Sequence, residues 1–103
     1  MARTAIHPGE ILADELEALG LSAAEFARLI DVPPNRVSQI VAGKRAVTAD
    51  TALRLGHYFG TSAELWMNLQ KAYELDTARA QLGSTLDRLP QRPHSELEDS
   101  ARS

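Results

Sequence analysis

Cysteine is absent from this chain, no apolar run is long enough to cross a membrane, and overall basicity is missing as well. Without cysteine there can be no disulfide framework and no thiolate metal site, which suits a reducing compartment. The opening Met-Ala-Arg-Thr-Ala-Ile-His lacks the apolar centre of a signal peptide, so a soluble, cytoplasmic protein is expected. A net charge of −3 argues against a surface that grips nucleic acid by basicity alone. His7, His57 and His94 lie far apart with no ligand spacing, and Gly43-Lys44 lacks the preceding glycine of a phosphate loop. Asp14 and Glu15 are neighbours on a helical pattern, so they point apart and make a poor acid–base pair. No catalytic residue, cofactor or metal is expected, and no enzyme. The 103 residues, free of repeats and low-complexity tracts, fit one small core.

What is present is concentrated between Ser22 and Arg45. Ser22 with Glu25 three residues later forms a capping box, flanked by Leu21 and Phe26 at the staple positions. A helix should start at Ala23 and run to about Leu29 or Ile30, with Ala23, Phe26, Ala27 and Ile30 on one apolar face. Ala27 leaves room for a second helix to cross closely. Asp31-Val32-Pro33-Pro34 then breaks the chain, because Pro33 drives Val32 out of the helical region. Pro34 suits the first turn of a new helix, which should run to Ala42 and stop at Gly43.

On that second helix Val37, Ile40 and Val41 face inward. At about 100° per residue the opposite face centres on Asn35, Gln39 and Ala42, with Arg36 and Ser38 on its flanks. Two helices around a tight corner, the second presenting hydrogen-bonding side chains, make a helix-turn-helix whose second helix enters the major groove of DNA. Asparagine or glutamine can pair with an adenine edge and arginine with guanine, each supplying about 1–3 kcal/mol of discrimination. Lys44 and Arg45, just beyond the helix, are placed for phosphates, which position without reading. Ser22, Asn35, Arg36, Ser38, Gln39, Lys44 and Arg45 form the expected DNA-contacting set.

The segment Ser22–Gly43 resembles the Cro-like (XRE) helix-turn-helix of phage repressors. The wider stretch from His7 to about Ala78 is similar to the HigA antitoxins of bacterial toxin–antitoxin modules. The residues carrying the closer likeness are His7-Pro8-Gly9-Glu10, Pro33 to Ser38, Gly43-Lys44-Arg45, Thr48 to Leu55, Tyr58 to Ser62 and Glu64 to Gln70. Many such motifs have glycine where this chain has Asp31, and the family often has asparagine where this chain has Ala42. The resemblance implies a dimer on a palindromic operator, autorepression of the operon, and neutralisation of a small basic HigB-like toxin that cleaves messenger RNA.

The remaining pattern implies an all-α, five-helix, phage-repressor-like domain with a short C-terminal helix or tail. A first helix opens at Pro8 and ends near Leu19 before Gly20, with Leu12, Leu16 and Leu19 facing inward. A fourth follows Thr48, with Asp50 favourable at its positive end, and packs through Ala52, Leu55 and Phe59 before Gly60. Thr61 with Glu64 reads as another capping box, opening a fifth helix from Ser62 to about Leu75. That helix carries surplus apolar surface; Leu65 and Leu69 are expected in the core, and Trp66, Leu69 and Tyr73 on a two-fold dimer seam. The DNA-binding domain is placed at residues 1–76, and a C-terminal helix with a flexible tail at 77–103. Ala78, Leu82, Leu86 and Leu89 suggest the short helix, while the stretch after Pro90 is too polar to fold alone.

Charge is also uneven. Glu10, Asp14, Glu15, Glu17, Glu25 and Asp31 crowd the first third, whereas Arg36, Lys44, Arg45 and Arg54 face Asp50 alone between residues 36 and 54. Basicity is therefore local to the reading helix, and the acidic remainder should weaken non-specific binding or receive a basic partner. Three functions compete: an antitoxin, a free-standing repressor of the same fold with no toxin partner, and an interaction module that has lost DNA binding.

Overall fold

The helices run α1 (Pro8–Leu19), α2 (Ala23–Leu29), α3 (Pro34–Val41), α4 (Ala49–Phe59) and α5 (Ala63–Leu82). A 3-10 segment, Gly83–Arg88, follows. The computed structural model describes residues 5–93, and no strand occurs among them. The expected all-α architecture is therefore observed. The tail expected after Pro90 lies, from residue 94 onward, outside the described residues.

The cap of α1 is a histidine. The Gly9 N–H donates to His7 Nδ1 at 2.9 Å, and the His7 N–H donates to the Glu10 carboxylate at 3.2 Å, completing a capping box. Pro8 occupies the first turn, where no amide donor is needed. The ring of His7 is buried and meets Tyr73 of α5 edge-on at 4.7 Å. One side chain thus starts α1 and ties it to α5.

Leu12 and Leu16 of α1, Phe26, Ala27 and Ile30 around α2, Val37 and Ile40 of α3, and Ala52 and Leu55 of α4 share one core. Burying a side chain such as Phe26, fully enclosed here, stabilises by about 1.5–3 kcal/mol. Two glycines set the closest approaches. A Cβ on Gly9 would overlap the Ile40 carbonyl, so α1 and α3 meet backbone to backbone. A Cβ on Gly56 would lie 2.8 Å from the Ala63 amide nitrogen, which lets α4 abut the start of α5.

Several expectations are corrected. Leu19 is 47% exposed rather than inward, because the last turn of α1 extends past the core. The cap of α5 is Ser62, whose hydroxyl accepts the Leu65 N–H at 3.1 Å, and not Thr61. α5 continues to Leu82 instead of ending near Leu75, since nothing between Leu75 and Leu82 breaks a helix. Gly83, at φ 53° and ψ −127°, ends it, so Ala78 and Leu82 belong to α5 and Leu86 to the 3-10 segment. Leu65 and Trp66 exchange roles: Leu65 is 44% exposed and Trp66 only 3%. The indole stacks at a tilt on Phe59, with ring centroids 5.9 Å apart, and so belongs to the core of its own chain.

Candidate nucleic-acid interface

The corner between α2 and α3 starts from the Ser22 capping box, in which Ser22 Oγ accepts the Glu25 N–H at 3.1 Å and Glu25 accepts the Ser22 N–H at 2.8 Å. These bonds hold the Glu25 carboxyl below its ordinary value, the backbone bond from Ser22 being the largest cause. Asp31 takes the left-handed conformation at φ 60°. Asp tolerates this region better than most residues. The reversal lets the Val32 N–H reach back to the Ala27 carbonyl at 3.0 Å. Pro33 stays extended at φ −58° and ψ 143°, and Pro34 begins α3.

A residue unassigned by the motif holds this corner shut. Arg54 of α4 donates through Nη1 to the carbonyls of Ile30 (2.8 Å) and Asp31 (3.0 Å), which no helix satisfies. Its Nε donates to Asp50 Oδ2 at 3.0 Å, and the same oxygen accepts from Arg36 Nη1 of α3 at 3.0 Å. The Arg54 guanidinium, reinforced by Arg36, holds the Asp50 carboxyl below the usual carboxylate range despite some opposing desolvation. Contacts bridging more than twenty positions leave no periodic trace in a sequence; the only signal was the spacing of Asp50 and Arg54 by one helical turn.

At its other end α3 closes in a Schellman motif. The Lys44 N–H bonds the Gln39 carbonyl at 2.8 Å, the Gly43 N–H bonds the Ile40 carbonyl at 2.9 Å, and Gly43 stands at φ 76°. The helix ends at Val41, with Ala42 as its cap. The segment after α3 is held by Gln70 of α5, another residue without an expected role. Gln70 is buried, accepts the Val47 N–H at 2.8 Å and donates to Glu74 at 2.7 Å.

The outward residues then fall into separate states. Asn35, Ser38, Ala42, Lys44 and Arg45 are exposed, and Gln39 and Arg36 are half-buried. The Ser38 hydroxyl bonds the Asn35 carbonyl at 3.2 Å. Arg45 Nε donates to Gln39 Oε1 at 2.7 Å, so these two side chains form a pair. Gln39 therefore keeps its amide N–H groups toward solvent while its oxygen is already engaged. Ser22 sits at the head of α2 with its hydroxyl committed to the cap. Leu69 and Tyr73 are half-buried on α5, and Trp66 lies below them in the core. Among the described residues no group of acidic or histidine side chains could hold a metal ion, and no helix is long and apolar enough to cross a membrane.

The sequence profile of the helix-turn-helix family matches residues 12–66, which span α2, α3 and their corner. A HigA-family addiction-module antidote protein from Coxiella burnetii superposes with a TM-score of 0.84 at 45% identity, over 87% of this chain and 99% of that one. The chain belongs to the HigA family of helix-turn-helix proteins. Pseudomonas aeruginosa antitoxin HigA, solved with the higBA promoter, is also similar, with a TM-score of 0.82, 46% identity, and 86% and 98% of the two chains covered. Virulence-associated protein I of Dichelobacter nodosus shares 53% identity over 75 residues, 72% of this chain and 69% of that protein. The HigA membership covers the whole bundle α1–α5, beyond the two helices of the motif.

Proposed function

We propose that this HigA-family chain is a cytoplasmic, non-enzymatic antitoxin that binds palindromic operator DNA as a homodimer, represses its own operon and neutralises a HigB-like, messenger-RNA-cleaving toxin. The observation that carries the reading is the outward face of α3. Asn35 and Ser38 stand exposed on its first half, Gln39 keeps free amide donors, and Lys44 and Arg45 flank its end. An α-helix so presented fits the major groove, with base edges read by the amides and phosphates held by the two cations. The similar Pseudomonas protein is an antitoxin solved with promoter DNA, which supports DNA binding by this chain.

Two subunits bring two reading helices to half-sites about 34 Å apart. Leu69 and Tyr73 remain the residues proposed for the seam, with Trp66 supporting them from within rather than touching a partner. Ser22, at the head of α2, completes the proposed contact set, while Arg36, on the flank of the reading face, is bonded to Asp50 in the free chain. The division at residue 76 is proposed as functional, with residues 1–76 carrying DNA recognition and 77–103 forming an appendage, because α5 itself is continuous across it.

The direct test is a gel shift with the DNA upstream of the gene. Asn35→Ala and Gln39→Ala should each weaken operator binding by about 1–3 kcal/mol with helicity unchanged. Unchanged operator affinity in both variants removes α3 as the reader. Co-purification with the product of the adjacent gene, and growth arrest by that product alone, test the antitoxin role. Operator binding without such a product makes the chain a free-standing repressor.

A further inference from the structure

Basic side chains near a reading helix normally add affinity for any DNA, because each neutralised phosphate releases counterions. One of them is restrained here. Arg36 lies on the first turn of α3, yet its Nη1 is 3.0 Å from Asp50 Oδ2, and its side chain is 27% exposed against 56% for the acid. Asp50 cannot follow Arg36 toward a ligand, because the same oxygen receives Arg54 Nε at 3.0 Å. Arg54 is itself fixed on the Ile30 and Asp31 carbonyls at 2.8 and 3.0 Å. To neutralise a phosphate, Arg36 must therefore leave a carboxylate that stays behind beside the DNA.

We propose that Asp50 is a specificity-determining residue, which holds Arg36 against α4 and so subtracts one cation per subunit from sequence-independent DNA binding. The inference rests on the DNA-binding reading above and deepens it. Non-specific affinity comes almost wholly from phosphates, so it bears the full effect of this restraint. Operator affinity also draws on base contacts from Asn35 and Gln39, neither of which bonds Asp50. The ratio of operator to random binding rises because the operator register set by Asn35 and Gln39 leaves Arg36 on Asp50, whereas on random DNA the restraint removes a phosphate contact that Arg36 would otherwise make. A carboxylate of ordinary acidity is ionised at neutral pH, and the neighbours of Asp50 favour that form further, so the restraint operates under ordinary conditions. Loss of Asp50 leaves the two bonds from Arg54 to the corner carbonyls in place, which separates this role from that of holding the fold.

The test compares the full chain and its Asp50→Asn variant on operator and random duplexes, by fluorescence anisotropy over a salt series. The variant should bind random DNA more tightly by on the order of threefold to tenfold, and the salt slope of a dimer should steepen by about two. Its operator-to-random ratio should fall. Asp50→Glu, which keeps a carboxylate within reach, should restore the wild-type ratio. In the double variant Asp50→Asn with Arg36→Gln the gain should vanish. An unchanged ratio in Asp50→Asn overturns the inference, and so does a gain that persists without Arg36, since simple removal of a negative charge would then account for it. Should Asp50→Asn lose helicity by circular dichroism, Asp50→Ser, well suited to a first helical turn, carries the same comparison. Failure of the wild-type chain to bind the operator refutes the underlying reading instead, whereas wild-type operator binding with an unaffected variant refutes only the role of Asp50.

Discussion

α3 and the last turn of α5 are both helical, but they are held in opposite ways. α3 has eight residues, too few to persist alone in water. It is fixed by the Gly9 approach to Ile40, by buried Val37 and Ile40, by Arg36 on Asp50 and by the Schellman closure at Gly43. α5 has 20 residues and buries Trp66 and Gln70 near its start, yet every residue from Ala78 to Pro93 is exposed. Its last turn, from Ala78, persists as the continuation of a helix nucleated by the core. Tertiary contact makes the short helix a rigid instrument, while length carries the last five residues of the long one beyond the core.

The contrast can be broken most forcefully at Gly9. Gly9→Ala forces a methyl group against the Ile40 carbonyl and should cost about 3 kcal/mol in urea unfolding, the upper end for overpacking. A loss below about 1 kcal/mol would mean that α3 is not braced from α1. Gln70→Ala marks the last anchored turn of α5. It strands the buried Val47 N–H and should cost about 2 kcal/mol by the same measurement. A near-neutral result would leave α5 without its grip on the segment after α3.

Ser22→Ala should cost less, about 1 kcal/mol for a lost helix cap. This site also has a pH signature. The folded-state pKa of Glu25 is lowered, so its contribution is complete above the ordinary value near 4.5 and is lost as pH falls through the shifted value. Acid unfolding of Glu25→Gln should therefore flatten relative to wild type below that pH, and an unaltered acid limb would remove the box as its source. The smallest effect belongs to the 3-10 segment Gly83–Arg88. Leu86→Asp, at a side chain 52% exposed, should change stability by less than about 0.5 kcal/mol. A clear loss in thermal unfolding would show that this segment packs on something, and would erase the contrast.

Local chemistry was legible and distant chemistry was not. The Ser22–Glu25 box, the Pro33-Pro34 break and the glycines at 20, 43 and 60 act within one turn of chain, and they place the helix boundaries from α1 to α4 within a residue. Leu65 and Trp66 were interchanged because adjacent helical positions point about 100° apart and the apolar run satisfied either facing; the Phe59 ring decides between them. Arg54 and Gln70 act on carbonyl and amide groups more than twenty residues away, and such bonds obey no spacing rule. On the reading face the residue types were visible, but their pairings were not. Arg45 looked like a phosphate anchor and Gln39 like an independent reader, until the bond between them joined the two.

The backbone seat of α3 on Gly9 separates the angle of that helix from the identity of its outer side chains. Asn35, Ser38 and Ala42 are exposed and outside the core, so on the proposed function exchanging them should redirect the protein to a new recognition sequence without refolding. One glycine with no side chain thereby makes the scaffold retargetable.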